Sequence, residues 1–300
     1  MKIVIVGLGI QGEKRKKNSD KGDLIATVDP KNKNADYKNL EEVPIEKYDT
    51  VFICTPNKVK KKIIEFCLKE KKNFLVEKPL LNKNIDLNKL SKKCRHSKIV
   101  GYTAYNHRFE PHFINIKNLL KKKKIGKIYY CKIFYGNGTA KLVKKSSWKD
   151  IGDGVISDLG SHLLDTVNFW FDCKYKKFKV VKFKKFENNS PDYMNLIYES
   201  NSFFIELEAT LCMWKNTFRC EIIGSKGSLS VESLCKWGPS TMFHRKRKYP
   251  SGVPKETART LRMKDPTWRH EYLHFKKLIR KKSYDNFKSD KIIKKIITLL

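Results

Sequence analysis

The sequence predicts two domains: an α/β domain over residues 1–103 built on a parallel sheet, and an α+β domain over 104–300 with a largely antiparallel open sheet. Three observations predict this. In the first hundred residues short apolar runs alternate with segments of helical periodicity, as parallel strands covered by helices do. From about residue 127 the runs turn β-type and alternate, with Phe218, Cys220 and Ile222 on one face against Arg219 and Glu221 on the other. A chain of 300 residues with 40% apolar content is long enough to bury two ordinary cores.

In the first domain, strands are predicted over 2–6, 24–28, 50–54, 73–76 and 98–102, with helices over 11–18, 58–71 and 85–95. Val59, Ile63, Ile64, Phe66 and Cys67 give the 58–71 helix its apolar stripe. Only about 20 residues separate Asp29 from Thr50, so the usual second crossover helix is expected to be short or missing. After a helix over 111–123, strands are predicted over 127–135, 177–186, 193–198, 202–211, 218–223 and 228–231. Turn signals such as Asn188-Asn189-Ser190-Pro191 and Gly224-Ser225-Lys226-Gly227 separate them. A helix over 158–171 interrupts the strands. Helices over 267–280 and 290–300 close the chain, placed to pack back on the first domain.

The net charge of +34 raises the question of a nucleic-acid partner. Most of that charge is lysine in short runs from end to end, such as Lys60-Lys61-Lys62 and Lys121 to Lys124. Readers of DNA favour arginine forks, and no helix-turn-helix, finger or RNP pattern is present, so no nucleic-acid partner is expected. No apolar run approaches the roughly 20 residues of a membrane span, and the opening six residues are too short for a signal peptide, so a cytoplasmic protein is expected. The eight cysteines are scattered without a C-x-x-C pair, which predicts free thiols and no metal site.

Gly7-Leu8-Gly9-Ile10-Gln11-Gly12 follows the first strand and opens the first helix, and Asp29 lies 17 residues after Gly12 at the end of the next strand. That is the fingerprint of a Rossmann dinucleotide-binding domain. Gly7 serves the tight turn, Gly9 the close approach of the pyrophosphate, and Gly12 the contact of helix and strand. The helix-start amides at Ile10 and Gln11 face the phosphates. A carboxylate at Asp29 suits the ribose hydroxyls, which predicts NAD, with NADP possible as Lys31 and Lys33 stand nearby.

Glu77-Lys78-Pro79 follows directly on Phe74-Leu75-Val76, at the edge where open parallel sheets bind ligands. Further motifs come in order: Thr55-Pro56-Asn57, then Asn106-His107-Arg108-Phe109-Glu110-Pro111, and Gly152-Asp153-Gly154 leading to Asp158-Leu159-Gly160-Ser161-His162-Leu163-Leu164-Asp165. Ile223 to Leu229 completes the set. Together they resemble the glucose–fructose oxidoreductase / inositol dehydrogenase / MocA family over about residues 1–280. Lys60 departs from that pattern, standing where the family often has histidine.

The resemblance implies an NAD(P)-dependent oxidoreductase acting on a CH–OH group of a sugar, polyol or nucleotide sugar. It implies Lys78, Asp158 and His162 as the catalytic set. Histidine has an ordinary pKa suited to accepting the hydroxyl proton, Asp158 would steady the ring, and Lys78, brought from the other domain, would hydrogen-bond the same oxygen. Thr55, Pro56, Asn57, Glu77 and Lys78 are implied to contact the cofactor, and Asn106 and Arg108 the substrate. A homodimer or homotetramer paired through the second sheet is implied as well. His107 could approach the substrate, although the family pattern does not require histidine there. The remaining alternative is a dinucleotide-binding sensor of the same fold without catalysis, which would have no need of the three catalytic residues.

Overall fold

The computed structural model describes residues 1–146 and 150–298, so the predicted helix end at 299–300 lies outside the described residues. The chain runs β1 (Ile3–Val6), α1 (Ile10–Asn18), β2 (Leu24–Val28), β3 (Thr50–Ile53), α2 (Asn57–Lys69), β4 (Asn73–Glu77), α3 (Leu87–His96) and β5 (Gly101–Ala104). It continues through α4 (Pro111–Lys121), β6 (Ile128–Gly136), α5 (Ala140–Lys144), α6 (Ser161–Phe171), β7 (Phe178–Lys184), β8 (Tyr193–Glu199) and β9 (Phe204–Thr210). Then come β10 (Thr217–Gly224), β11 (Gly227–Glu232), β12 (Ser240–Lys246), β13 (Lys255–Leu261), α7 (Thr267–Arg280), β14 (Asp285–Asn286) and α8 (Lys288–Ile297). Met1–Asn106 and Thr267–Lys291 form one compact unit; His107–Pro266 and the segment from Ile292 form the other.

The first unit is a Rossmann-type parallel sheet in the order β14-β5-β4-β3-β1-β2. Its strands are apolar without alternation because both faces are covered. Val4, Val6, Val51, Ile53, Phe74 and Val76 face one way, into a core closed by Ile64 and Cys67 of α2 and Leu90 and Cys94 of α3. Ile3, Ile5, Phe52, Leu75 and Tyr102 face the other way, against Tyr272 and Phe275 of α7. Between β2 and β3 the chain makes only two 3₁₀ turns, Leu40–Glu42 and Ile45–Lys47, as the short spacing predicts. Asp36 anchors that stretch by accepting hydrogen bonds from Thr27 N and Oγ1, both at 2.7 Å. The strand predicted over 98–102 instead begins at Gly101. Lys98 adopts a positive φ of 55° and Ile99 N bonds Cys94 O, so 98–100 are spent leaving α3.

The second unit carries an eight-stranded sheet, β13-β12-β11-β10-β6-β9-β8-β7. Every pairing is antiparallel except β6 with β9. β12 and β13 have no apolar alternation in the sequence. β13 is exposed nearly throughout, a charged edge tied to β12 by Arg245–Glu256 at 2.6 Å and Thr241–Thr260 at 2.9 Å. The predicted helix over 158–171 does not start as an α-helix: a π turn, Ile156–Gly160, precedes α6. This entry is pressed onto the sheet, with Val155 N bonding Pro191 O at 2.7 Å and Gly160 so close to Met194 that a Cβ would lie 2.6 Å from Sδ. Among the described residues no helix is long and apolar enough to cross a membrane.

At Gly12 a methyl group would collide with the Gly7 carbonyl oxygen, which is backbone and cannot rotate away. Gly12→Ala is therefore expected to destabilise the protein by about 1–3 kcal/mol, the usual scale of overpacking. Urea unfolding checks this, and an unchanged midpoint would contradict the close seat of α1.

Candidate active site

The glycine motif forms the link from β1 to α1. Gly7 takes a φ of +93°, and its N bonds Val28 O at 2.8 Å. Gly9 caps α1 in extended conformation, and a Cβ there would meet nothing within 4 Å. That open side, beside exposed Ile10 and Gln11 at the helix start, is the space a dinucleotide pyrophosphate requires. Asp29 folds back on the same loop. Its Oδ2 accepts from Leu8 N at 2.8 Å and its Oδ1 from Lys31 N and Asn32 N at 2.9 and 3.0 Å. Burial pushes the Asp29 carboxyl up, but these three amides outweigh it and hold it below the usual range, so it is charged at neutral pH. Asn32 adds Nδ2 to Leu8 O at 2.9 Å, a contact no sequence motif signals.

Glu77 ends β4, and its carboxylate is turned inward. Oε1 receives Arg15 Nε at 2.7 Å, while Arg15 Nη1 reaches Glu271 Oε2 of α7 at 2.7 Å. Tyr102 donates to Glu271 Oε1 at 3.1 Å. Burial opposes the charge of Arg15, but the two carboxylates raise its pKa overall. Burial pushes Glu271 up to about 7, against the pull of Arg15.

The backbone on either side of Lys78 is held as firmly. Buried Lys60 donates from Nζ to Glu77 O at 2.5 Å and Pro79 O at 3.2 Å. Leu80 N bonds Asp290 Oδ1 at 2.9 Å, which also accepts from Tyr105 at 2.8 Å. Lys78 stands half-buried on this clamped turn. Thr55, Pro56 and Asn57 lead from β3 into α2, where Pro56 is the N-cap and Asn57 O accepts from Asn82 Nδ2 at 2.8 Å. Asn106 is tied to Thr267 Oγ1 at 2.7 Å.

In the second unit His162 lies in the first turn of α6, buried, with Asp158 exposed on the π turn before it. Its ring stacks on His107 with centroids 3.8 Å apart and planes inclined by 14°. Tyr135 of β6 packs against both, at 5.7 Å from His107 and 6.4 Å from His162. Burial pushes the Tyr135 phenol up, with Asp158 and Asp265 adding to the effect, so it stays neutral. Its oxygen accepts from Lys236 Nζ at 2.8 Å, and Trp237 closes the group at 5.7 Å. Arg108 forks onto Asp165, with Nε at 2.8 Å from Oδ2 and 3.1 Å from Oδ1. His162, Arg108, Asp165 and His107 are thus gathered in one unit, and the glycine loop, Asp29, Thr55–Asn57 and Lys78 belong to the other. Sequence reading missed Tyr135, Lys236 and Trp237. Tyr135 shares the inward face of β6 with Cys131 and Ile133, and that alternation was the available signal.

A glycine-rich loop at the edge of a parallel sheet, opening a helix whose first turn faces open space, marks a dinucleotide-binding domain. Comparison with known proteins agrees: residues 1–105 match the oxidoreductase family with an NAD-binding Rossmann fold, and 113–230 match the GFO/IDH/MocA C-terminal domain. The chain belongs to the Gfo/Idh/MocA family. Among its relatives is trans-1,2-dihydrobenzene-1,2-diol dehydrogenase of Xenopus laevis, 22% identical over 74% of this chain and 66% of that one. Glucose-6-phosphate 3-dehydrogenase of Bacillus subtilis is 24% identical over 73% of this chain and 61% of that one. The chain thus spans a little under two thirds of the length of these relatives. A levoglucosan dehydrogenase solved with NADH has the same fold, with a TM-score of 0.78 at 16% identity, covering all of this chain and 94% of that one.

Lys60 carries a measurable signature. Burial pushes its pKa down to about 8, below the ordinary lysine value of about 10.4. Between those values the folded protein holds fewer protons than the unfolded one, so this group makes stability rise with pH across that window. Lys60→Met is expected to remove that rise. Urea unfolding at pH 7.5 and 9.5 checks it, and equal pH slopes for variant and parent would contradict the burial of this charge.

Proposed function

We propose that the chain is an NAD-dependent oxidoreductase that moves hydride between the nicotinamide and a secondary alcohol or carbonyl of a sugar, polyol or nucleotide sugar. The observation that carries the reading is the Lys78 turn, clamped by Lys60, Arg15 and Asp290 at the carboxyl end of β4. Such fixed placement suits a donor that must meet one oxygen atom as its charge develops. The relatives named for a ring diol and a sugar phosphate support the substrate class.

Bound at the glycine loop, NAD supplies the acceptor or donor of hydride. In the oxidising direction His162 takes the proton from the substrate hydroxyl oxygen, its ring held against His107. Asp158 stabilises the resulting imidazolium, and Lys78 Nζ donates a hydrogen bond to the same oxygen. Asn106 and Arg108 engage neighbouring hydroxyls, their planes set by Thr267 and Asp165. With NAD bound, Thr55, Pro56, Asn57 and Glu77 would border the cofactor, and the Asp29 carboxylate, which keeps one acceptor site beyond its three amides, would accept a ribose hydroxyl.

His162→Ala and Lys78→Met are each expected to lower turnover about 10²-fold or more, with NADH affinity within a few-fold. Steady-state assay on polyols, aldoses and nucleotide sugars, with fluorescence titration of NADH, checks this. Undiminished turnover in both variants would remove the assigned roles, and NADH binding without turnover of any such compound would leave a non-catalytic sensor. From Asp29, whose charge repels a 2′-phosphate, NADH is expected to bind more tightly than NADPH; the reverse order in the same titration would refute it. We further propose a cytoplasmic homodimer or homotetramer paired through the outer face of the second sheet, where Tyr130 and Phe204 stack at 5.4 Å. Light scattering that gives a 35.2 kDa monomer at micromolar concentration would refute the assembly.

A further inference from the structure

His107 and His162 come from places 55 residues apart in sequence, the 3₁₀ turn Asn106–Phe109 and the start of α6, yet their rings lie at van der Waals contact. They are 4% and 8% exposed, so water does little to screen one from the other. Two neutral imidazoles, or one neutral and one charged, stack comfortably at this separation. Two imidazolium ions repel at the same distance, and a second proton is correspondingly hard to add.

The groups around the pair favour one positive charge and no more. Asp158 lies on the π turn and Asp265 bears on the neighbouring Tyr135, so carboxylates are at hand for a first proton. Against a second proton stands Lys236, whose ammonium is bonded to the Tyr135 hydroxyl. Arg108 is paired with Asp165 in the same α6 turn and adds no net charge. Phe113 meets His107 edge-on at 6.3 Å and brings no titratable group.

We propose that His107 and His162 take up a single proton between them, which makes His107 a positioning partner that keeps His162 able to accept the substrate proton in mildly acidic solution. The inference rests on the role given to His162 under Proposed function. A lone imidazole fills with protons below its ordinary pKa of about 6.5, and its activity as a base falls about tenfold per pH unit. In the pair the proton resides partly on His107, so His162 stays neutral in a share of molecules until the second proton arrives at lower pH.

His107→Phe keeps a flat ring on His162 and removes the second proton site. The pH at which kcat/KM falls to half of its own plateau is expected to move up by about one unit in this variant. His107→Ala removes the stacked ring as well and is expected to lower the plateau itself, a loss that Phe should largely rescue. Coincident acid limbs for His107→Phe and the parent would overturn the proposal. Histidine ring NMR of the full chain reads the pair without any turnover, with the two rings assigned from His107→Phe and His162→Phe. One proton taken up by the two rings together between pH 8 and 5 supports the proposal; a full proton on each near pH 6.5 overturns it. Because this titration does not depend on activity, an active His162→Ala enzyme would sink the proposed function and leave the shared proton still decided by NMR.

Discussion

Arg15 leaves water altogether, and it does so between two carboxylates brought from distant parts of the chain, Glu77 of β4 and Glu271 of α7. Burying these charges is costly, and the attraction among them recovers the cost only if the geometry is good. The return on that arrangement is orientation rather than stability. α1 carries the glycine loop, β4 ends in the Lys78 turn, and α7 covers one face of the sheet. A single guanidinium holds all three in register, stacked on Trp268 at 4.4 Å. Removing the guanidinium would leave two buried carboxylates uncompensated, a cost of about 3–5 kcal/mol. Lys60 lies close enough to feel Glu77, Asp290 and Lys78, so the charges around this turn number three cations and three carboxylates.

The two units hold their functional groups by different means. In the first, backbone atoms do most of the work: amides on Asp29, carbonyls on Lys60, and an open flank at Gly9. Such fixing suits a large ligand of constant shape, met by main chain at many points. In the second, side-chain rings determine the arrangement, with Tyr135, His107, His162 and Trp237 packed in series and Lys236 at one end. Such rings present flat apolar area with one polar atom on Tyr135 and Trp237 and two on each histidine.

What the sequence discloses is what lies close together along it. Gly7 to Gly12 and Glu77-Lys78-Pro79 each sit within a few residues of a strand end, so their setting follows from the apolar run before them. The missing crossover helix followed from counting alone. β12 and β13 escaped because period-two alternation records a buried face, and β13 has none. The π turn escaped because α and π turns use the same residues, and contact with Met194 and Pro191 accompanies the wider one. Lys60 read as one of a run of three surface lysines; only α2's rotation puts the first of them under the Lys78 turn. The ring stack of His107 on His162 spans too much chain for any local pattern to announce it.

The return of α7 to the first sheet has a consequence for the chain as it is made. Ile3, Ile5, Phe52, Leu75 and Tyr102 leave the ribosome with the first hundred residues, but Tyr272 and Phe275, which cover them, follow only after the whole of the second sheet. At ordinary elongation speeds that interval is about ten to thirty seconds. During it, one face of a parallel sheet is bare, and so is the Arg15 site that awaits Glu271. Synthesis that stalls ahead of residue 267 leaves this apolar sheet face without the helix that covers it.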